Sequence, residues 1–443
     1  MSSARIAPRL PKGMRDFLPA DMLKREYVFG VVREVFHLYG FEPLQTPVLE
    51  LKETLYGKYG EDAEKLIYSA EHPGGKEAVA MRYDLTVPLA RVVAQYENEI
   101  KLPFKRYQLS PVFRAERPQR GRYREFYQCD ADIVGIGSMM ADAEIISLVV
   151  TALRRLGFRQ FSVKINNRKL LTAMGQYAGV PDAQLGDLYR SVDKFDKIGA
   201  EGVEKELVER GLEAAAVRRM MGLIQSRQPG LANLDVVEKA MGNIGEAEEA
   251  LGELRQMAAY LEAFGVPEAN TAFDFTMVRG LGYYTGPIFE TVITEPNLGS
   301  VTGGGRYDDL VGLFRKESLP TVGTSLGIER IIDLMDILKL YPADVVGTVV
   351  QVMVTVFNEE SRPAAMRLAG ELRNGGVQTE LYMQDKGLGK QFDYANKKGI
   401  RLVAIQGPDE IAQGVIKLKR LSDGSETTVQ QAQVVDQIRT LLG

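Results

Sequence analysis

The sequence predicts an α+β chain, with a helical insertion inside its larger domain and a compact α/β unit after it. Three observations carry this expectation. Two-faced strand patterns recur at residues 81–88, 107–113 and 125–134. The run from about 170 to 265 is rich in Ala, Glu, Leu, Arg and Lys, with few strand signals. From 348 onward, buried-type strands alternate with helical patterns. At 443 residues there is room for two or three domains. The expected division is 1–342, holding the insertion, a linker at 343–347, and 348–443.

Composition narrows the function. The chain is 45% hydrophobic and 26% charged, an ordinary globular balance. Its formal charge of −4 excludes a uniformly basic nucleic-acid binder, so such a partner would meet local patches. A single cysteine, Cys129, excludes an internal disulfide and fits a reducing compartment. His37 and His72 have no partners at ligand spacing, so neither a zinc site nor a Ser-His-Asp triad is expected. The first twenty residues hold no apolar signal core, and no long apolar window follows. A cytoplasmic protein without a membrane span is expected.

In chain order, residues 21–39 read as an amphipathic helix on Leu23, Tyr27, Val31, Val35 and Leu38, stopped by Gly40. Residues 41–51 are extended, and Pro43 and Pro47 keep them from a sheet centre. That suits an edge, a subunit interface or plain packing. At 81–88 a strand would place Arg82, Asp84 and Thr86 on one face and end at Pro88, with a helix from 89 to 96. Strands at 107–113 and 125–134 then flank a loop that holds five arginines in the eleven residues from Arg114 to Arg124. Pro118 and Gly121 stand at its tip. On the second strand Phe126, Gln128, Asp130 and Asp132 share one face, and Tyr127, Cys129, Ala131 and Ile133 the other. A strand lined by carboxylates beside an arginine loop can hold a polar ligand with phosphate. Seen alone, the loop also reads as simply solvated.

A helix at 141–156 and a strand at 161–165 lead into the insertion. There Arg218, Arg219 and Arg227 suit a polyanion or a solvated face. Residues 272–284 read as a strand ending in a glycine-punctuated turn that presents Arg279, Tyr283 and Tyr284. A half-buried guanidinium there needs an anion. Gly303-Gly304-Gly305-Arg306-Tyr307-Asp308 permits close backbone approach. A strand at 321–326 precedes a helix opened by Gly327, so Arg330 lies in its first turn. A cation there opposes the helix dipole by about 0.3–1 kcal/mol, to be offset by Glu329, Glu317 or a bound phosphate. Beyond the linker, strands at 348–356, 377–383 and 400–406 alternate with helices. The first helix is capped by Asn358 and runs to 373, and the second spans 389–398. A hairpin of 415–421 and 426–429 turns at Asp423-Gly424 before a last helix. Lys386, Lys390, Lys397, Lys398, Arg401, Lys417, Lys419 and Arg420 form a basic patch or a solvated face.

Taken together, these stretches resemble the class II aminoacyl-tRNA synthetases, and within them the histidyl-tRNA synthetases, from about Leu10 to the end. The helix before Gly40 with the strand to Pro47 resembles motif 1. Val112-Phe113-Arg114-Ala115-Glu116 through Asp132 resembles motif 2, and Gly323 to Arg330 motif 3. Arg279-Gly280-Leu281-Gly282-Tyr283-Tyr284 and Gly304-Gly305-Arg306-Tyr307-Asp308 resemble the two histidine signatures. Arg82-Tyr83-Asp84-Leu85-Thr86 and Arg124-Glu125-Phe126-Tyr127-Gln128-Cys129-Asp130 are closer to the eukaryote-like branch. Five motifs in order are specific. The family's aspartate is replaced at Gly282, which puts local geometry in doubt, and Asp309 stands where glycine is common.

The resemblance implies a mainly antiparallel six- to seven-stranded sheet flanked by helices, a homodimer joined through motif 1, and a C-terminal α/β anticodon-binding domain. It implies ATP-dependent ligation of L-histidine to tRNA(His) through a histidyl-adenylate, with Mg2+ accompanying ATP. Asp84, Thr86 and nearby Gln128 would hold the ammonium group, and Asp132 and Tyr283 the imidazole, with Tyr284 beside them. Arg114 would bind the α-phosphate. Glu116 and Arg122 would engage the adenine and triphosphate end, and Arg330 the γ-phosphate. Arg279 would face the α-phosphate and the substrate carboxylate; it and Arg114 are the catalytic pair. Arg117, Arg120 and Arg124 are left for the tRNA acceptor end or for solvent. The alternative is the family's non-catalytic paralogue, a regulatory subunit of ATP phosphoribosyltransferase.

Overall fold

The two-faced strands of the arginine hairpin run side by side within an eight-stranded sheet. The computed structural model describes residues 6–442 except 58, 60–63, 72, 73, 120, 279–282, 344 and 346. Its strands, in chain order, begin with β1 (Glu42–Pro43), β2 (Leu49–Leu51), β3 (Ser69–Ala70) and β4 (Val79–Met81). There follow β5 (Phe104–Phe113), β6 (Glu125–Val134), β7 (Phe161–Asn167), β8 (Thr271–Phe273), β9 (Pro287–Ile293), β10 (Ser300–Arg306) and β11 (Thr321–Gly327). The main sheet has the order β1-β5-β6-β11-β10-β9-β7-β8. It is mixed: β1 joins β5 and β8 joins β7 in parallel, and the inner pairings are antiparallel. It thus exceeds the expected six or seven strands. The short edge strands, of two and three residues, are too brief to carry a readable period.

The alternation on β6 is realised. Cys129, Ala131 and Ile133 are buried on its apolar side, and the Tyr127 ring meets Phe29 of helix Pro19–Leu38 with centroids 5.0 Å apart. Helix Met139–Arg155 packs against β6, β10 and β11. Six helices from Arg168–Ala178 to Gly245–Ala263 occupy the expected insertion. In it Arg219 bonds the Ala178 carbonyl, and Arg227 lies 3.0 Å from Thr276 Oγ1 and 3.6 Å from Asp274. Those two arginines brace the fold.

Two expected strands are shorter than their patterns. At 81–88 the strand ends at Met81, and helix Thr86–Gln95 begins two residues before Pro88. The cause is Asp84, whose Oδ1 accepts from the amides of Thr86 (3.2 Å) and Val87 (3.1 Å). This satisfies N–H groups that a helix start leaves open, an interaction worth ~1 kcal/mol. Pro88 fits the first turn, where no intrahelical donor is needed. Arg82 faces no solvent: it is fully buried and donates to the carbonyls of Pro111 and Thr46. At 272–284, β8 stops at Phe273 because Asp274 Oδ1 turns onto the Thr276 amide (3.0 Å).

The chain divides into two compact units, Met1–Arg15 with Val28–Leu340, and Asp16–Tyr27 with Tyr341–Gly443. In the second, β12 (Val352–Val354), β13 (Thr379–Leu381), β14 (Leu402–Ile405), β15 (Val415–Arg420) and β16 (Glu426–Gln430) take the order β13-β12-β14-β15-β16. β13, β12 and β14 are parallel, and the hairpin adds antiparallel pairs. Val352, Val354 and Ala404 pack with helices Arg362–Asn374 and Val434–Leu442, while Met353 and Val403 pack with Ala395 of helix Leu388–Lys398. Covering on both faces is why these strands read as continuous apolar runs. Asn358 is not the helix cap: it exchanges bonds with Ser361 in a turn before the helix, and Ser361 takes the cap position. Of the eight basic residues noted here, Lys390, Lys398, Lys417, Lys419 and Arg420 each have a carboxylate within 4.0 Å. A patch so paired carries less free charge than its sequence suggests.

Candidate functional site

Two adjoining cavities open over the polar face of β6. The smaller, about 100 Å³, is walled by Tyr59, Tyr83, Asp84, Thr86, Asp130, Asp132, Tyr283 and Tyr307. The larger, about 380 Å³, is walled by Glu116, Arg122, Tyr123, Phe126, Glu329 and Arg330. Arg114, Gln128, Gly303 and Ser325 line both. The structure therefore brings Asp84, Thr86, Gln128, Asp132 and Tyr283 together as expected, and gathers Arg114, Glu116, Arg122 and Arg330 next door. Tyr284 does not line the pocket: its ring meets that of Tyr283 at a tilt, with centroids 4.7 Å apart. Arg279 and Gly282 lie outside the described residues, as do Arg120 and His72.

The smaller cavity is built from buried charge. Asp84, Asp130 and Asp132 are each at most 5% exposed. Asp84 Oδ1 also accepts from the Tyr59 hydroxyl (2.8 Å). Asp132 is flanked by Arg106, whose Nη2 lies 2.9 Å from Oδ2, and by the Tyr307 hydroxyl on Oδ1. Arg106 stands opposite Asp132 in the β5–β6 register. Burial raises the carboxyls of Asp84 and Asp132, and Arg106 opposes the rise at Asp132. Asp130 is pushed up to about 7, by burial first and by the Asp132 charge second. Burial also lifts the hydroxyls of Tyr59, Tyr283 and Tyr307 well above the tyrosine range, so they act as neutral donors. Three carboxylates against the two guanidiniums of Arg106 and Arg114 make the pocket suited to a cationic or N–H-bearing ligand. Glycines make the room. A Cβ on Gly323 would stand 1.9 Å from Asp132 Oδ1, and one on Gly304 2.1 Å from the Gly323 carbonyl.

The larger cavity is looser. Arg114 donates to the Tyr83 carbonyl (3.2 Å) and lies over the Tyr83 and Phe126 rings. Exposed Arg122 and half-buried Glu116 are 3.9 Å apart. Arg330, in the first turn of helix Ile328–Leu338, donates to the Ser300 carbonyl at 2.6 Å, while Glu329 pairs with Arg15 at 2.5 Å. Arg124 belongs to the scaffold: it donates to the carbonyls of Glu116 and Lys12 and so ties the loop to the N-terminal segment. Arg117 is exposed.

Sequence reasoning passed over Asp130, Arg106, Tyr59 and Tyr307 as site residues. For Asp130 the signal was present, since it alternates between Gln128 and Asp132. The others arrive by pairings across the chain.

The histidyl-tRNA synthetase sequence model matches residues 13–331, and the anticodon binding domain matches 351–441. The chain belongs to the histidyl-tRNA synthetase family. Among the family's curated members, the histidine–tRNA ligase of Aeropyrum pernix is 43% identical over 442 residues, covering 98% of each chain. That of Bacteroides fragilis is 39% identical over 457 residues, covering 97% of this chain and 98% of its own. The crystal structure of histidyl-tRNA synthetase from Nostoc sp. PCC 7120 superimposes with a TM-score of 0.87 at 31% identity, covering 98% of this chain and all of that one. A Bacillus halodurans structure described as an ATP phosphoribosyltransferase regulatory subunit/histidyl-tRNA synthetase has a TM-score of 0.74 at 24% identity, a likeness of fold. No helix among the described residues is long and apolar enough to cross a membrane.

Proposed function

We propose that the chain ligates L-histidine to tRNA(His), using ATP and passing through histidyl-adenylate. The observation that carries this is the pair of cavities sharing Arg114, Gln128, Gly303 and Ser325. A ligand carboxylate and a phosphate can meet only at such a shared wall. Histidine would place its ammonium group among Asp84, Thr86 and Gln128 and its ring toward Asp132 and Tyr283. ATP would lie in the larger cavity, with Glu116 and Arg122 at its adenine and triphosphate end and Arg330 at the γ-phosphate. Histidine's carboxylate oxygen attacks the α-phosphorus and pyrophosphate leaves. The terminal ribose hydroxyl of the tRNA then attacks the activated carbonyl, and AMP leaves. Arg114, at the junction, would supply fixed positive charge to the reacting phosphate without any change of protonation, and the family resemblance gives Arg279 the same role. Positioning and electrostatics can carry both steps without a protein base.

Mg2+ would travel with ATP. Glu116 and Glu329 are the carboxylates on the nucleotide wall, and each has a cationic partner. Phosphate oxygens and water would therefore supply most of the ion's ligands. We assign activation to residues 1–342 and anticodon contact to 348–443, with 343–347 between them. A homodimer in the cytoplasm completes the reading. The regulatory alternative gains no support from the cavity, which keeps Arg114, Arg122 and Arg330 on its wall.

ATP–pyrophosphate exchange with each of the twenty amino acids tests this. Exchange with histidine alone is expected. No exchange with any would point to the regulatory function.

A further inference from the structure

The segment before the first helix supplies no residue to either cavity wall, yet it is bound to the larger cavity's loop and helix. It turns at Pro11, whose carbonyl accepts the Met14 amide at 3.2 Å. Within that turn the Gly13 carbonyl accepts the Arg124 amide at 2.9 Å, and the Lys12 carbonyl accepts Arg124 Nη1 at 3.1 Å. The approach is close enough to require glycine. Gly13 has a φ of +87°, and a Cβ there would lie 2.7 Å from Pro118 Cγ at the loop tip.

Arg15 follows that turn. Its guanidinium lies over the Tyr123 ring, 3.3 Å from the centroid, and its Nη2 is 2.5 Å from Glu329 Oε2. Tyr123 belongs to the loop, and Glu329 to the first turn of helix Ile328–Leu338, beside Arg330. Both line the larger cavity. The other oxygen of Glu329 faces the Tyr127 amide of β6 at 3.5 Å. One cation outside the cavity thus joins two of its walls that are far apart in the chain. The Glu329 side chain is only 9% exposed. Without a cation beside it, such a carboxylate would repel an anionic ligand on the wall it shares with Arg330. Resting on the ATP reading above, we propose that Arg15 is a positioning residue for the nucleotide. It fixes Tyr123 of the loop against the helix start and neutralises Glu329, so that the wall beside Arg330 receives a triphosphate.

The test uses the full chain, ATP–pyrophosphate exchange with L-histidine, and calorimetry of L-histidine without ATP. Arg15→Ala should raise KM for ATP at least about fivefold, with kcat and the histidine dissociation constant within about threefold of wild type. Arg15→Lys keeps a charge beside Glu329 and should bring KM for ATP back below that of the Ala chain. A smaller rise in Arg15→Ala overturns the proposal. So does a loss of histidine binding as large as the rise in KM, the mark of a general loosening, and so does a Lys chain no better than the Ala chain. Arg15→Gln is held to the same limits should the Ala chain not fold. A wild type with no exchange at all overturns the ATP reading itself and Arg15's role with it.

Discussion

The two cavities are neighbours built by opposite means. The smaller rests on strands and a helix start, with Asp84, Asp130, Asp132 and Arg106 buried and Asp84 and Asp132 bonded to tyrosines. The larger adds a loop and a helix start to its strands, and its cations are half-buried or exposed, with backbone carbonyls or distant acids as partners. An amino acid differing from its rivals by one ring N–H has to be read by groups already in place. A triphosphate brings charge enough to gather loose arginines. On the function proposed above, the comparison teaches that discrimination would fall to the buried groups of the sheet and charge neutralisation to the more open arginines.

The largest effect should come from breaking the sheet side. Arg106→Met leaves two buried carboxylates without their guanidinium, and such losses cost about 3–5 kcal/mol. Urea unfolding should show it, and a loss under 1 kcal/mol would mean the pair is not load-sharing. At the junction, Arg114→Ala should lower the exchange rate about 10²–10³-fold, the usual effect of removing one charge-stabilising donor. Histidine binding without ATP should survive, which calorimetry can check. Gly323→Ala drives a methyl into Asp132, and about 1–3 kcal/mol of strain is expected, read as a lower Tm with weakened histidine binding. On the loop side, Arg122→Ala should change stability by less than about 1 kcal/mol, since its pair is exposed. Its effect belongs in KM for ATP.

A pH series sharpens the same contrast. Asp130 rises from 3.8 to about 7 on folding, under burial and the charges of Asp132 and Asp84, against Arg106. The folded chain therefore holds this proton where the unfolded chain has lost it. Its contribution favours folding below about pH 4 and is lost as pH rises from about 4 to about 7. Asp130→Asn should thus be more stable than wild type at pH 8 and not at pH 4, by thermal melts. Equal melts at both would contradict the raised carboxyl assigned to Asp130.

Legibility followed sequence range. The β5–β6 hairpin was readable because a ten-residue strand with strict alternation announces its own faces, and with them Gln128 and Asp132. The helix start at Thr86 was misread because Arg82, Asp84 and Thr86 imitate a strand's period, when in fact Asp84 caps and Arg82 is interred. Tyr59, Arg106 and Tyr307 were invisible for another reason: each reaches a carboxylate 25 to 175 positions away, which no local pattern encodes. Arg124 looked like part of a binding cluster, yet its bonds go to two backbone carbonyls.

The most direct measurement is a calorimetric titration of L-histidine into the wild-type chain and Arg122→Ala, with ATP absent. A preformed sheet pocket requires saturable binding at one site per chain, with dissociation constants within about threefold of each other. Binding that appears only once ATP is added, or that Arg122→Ala abolishes, would contradict it.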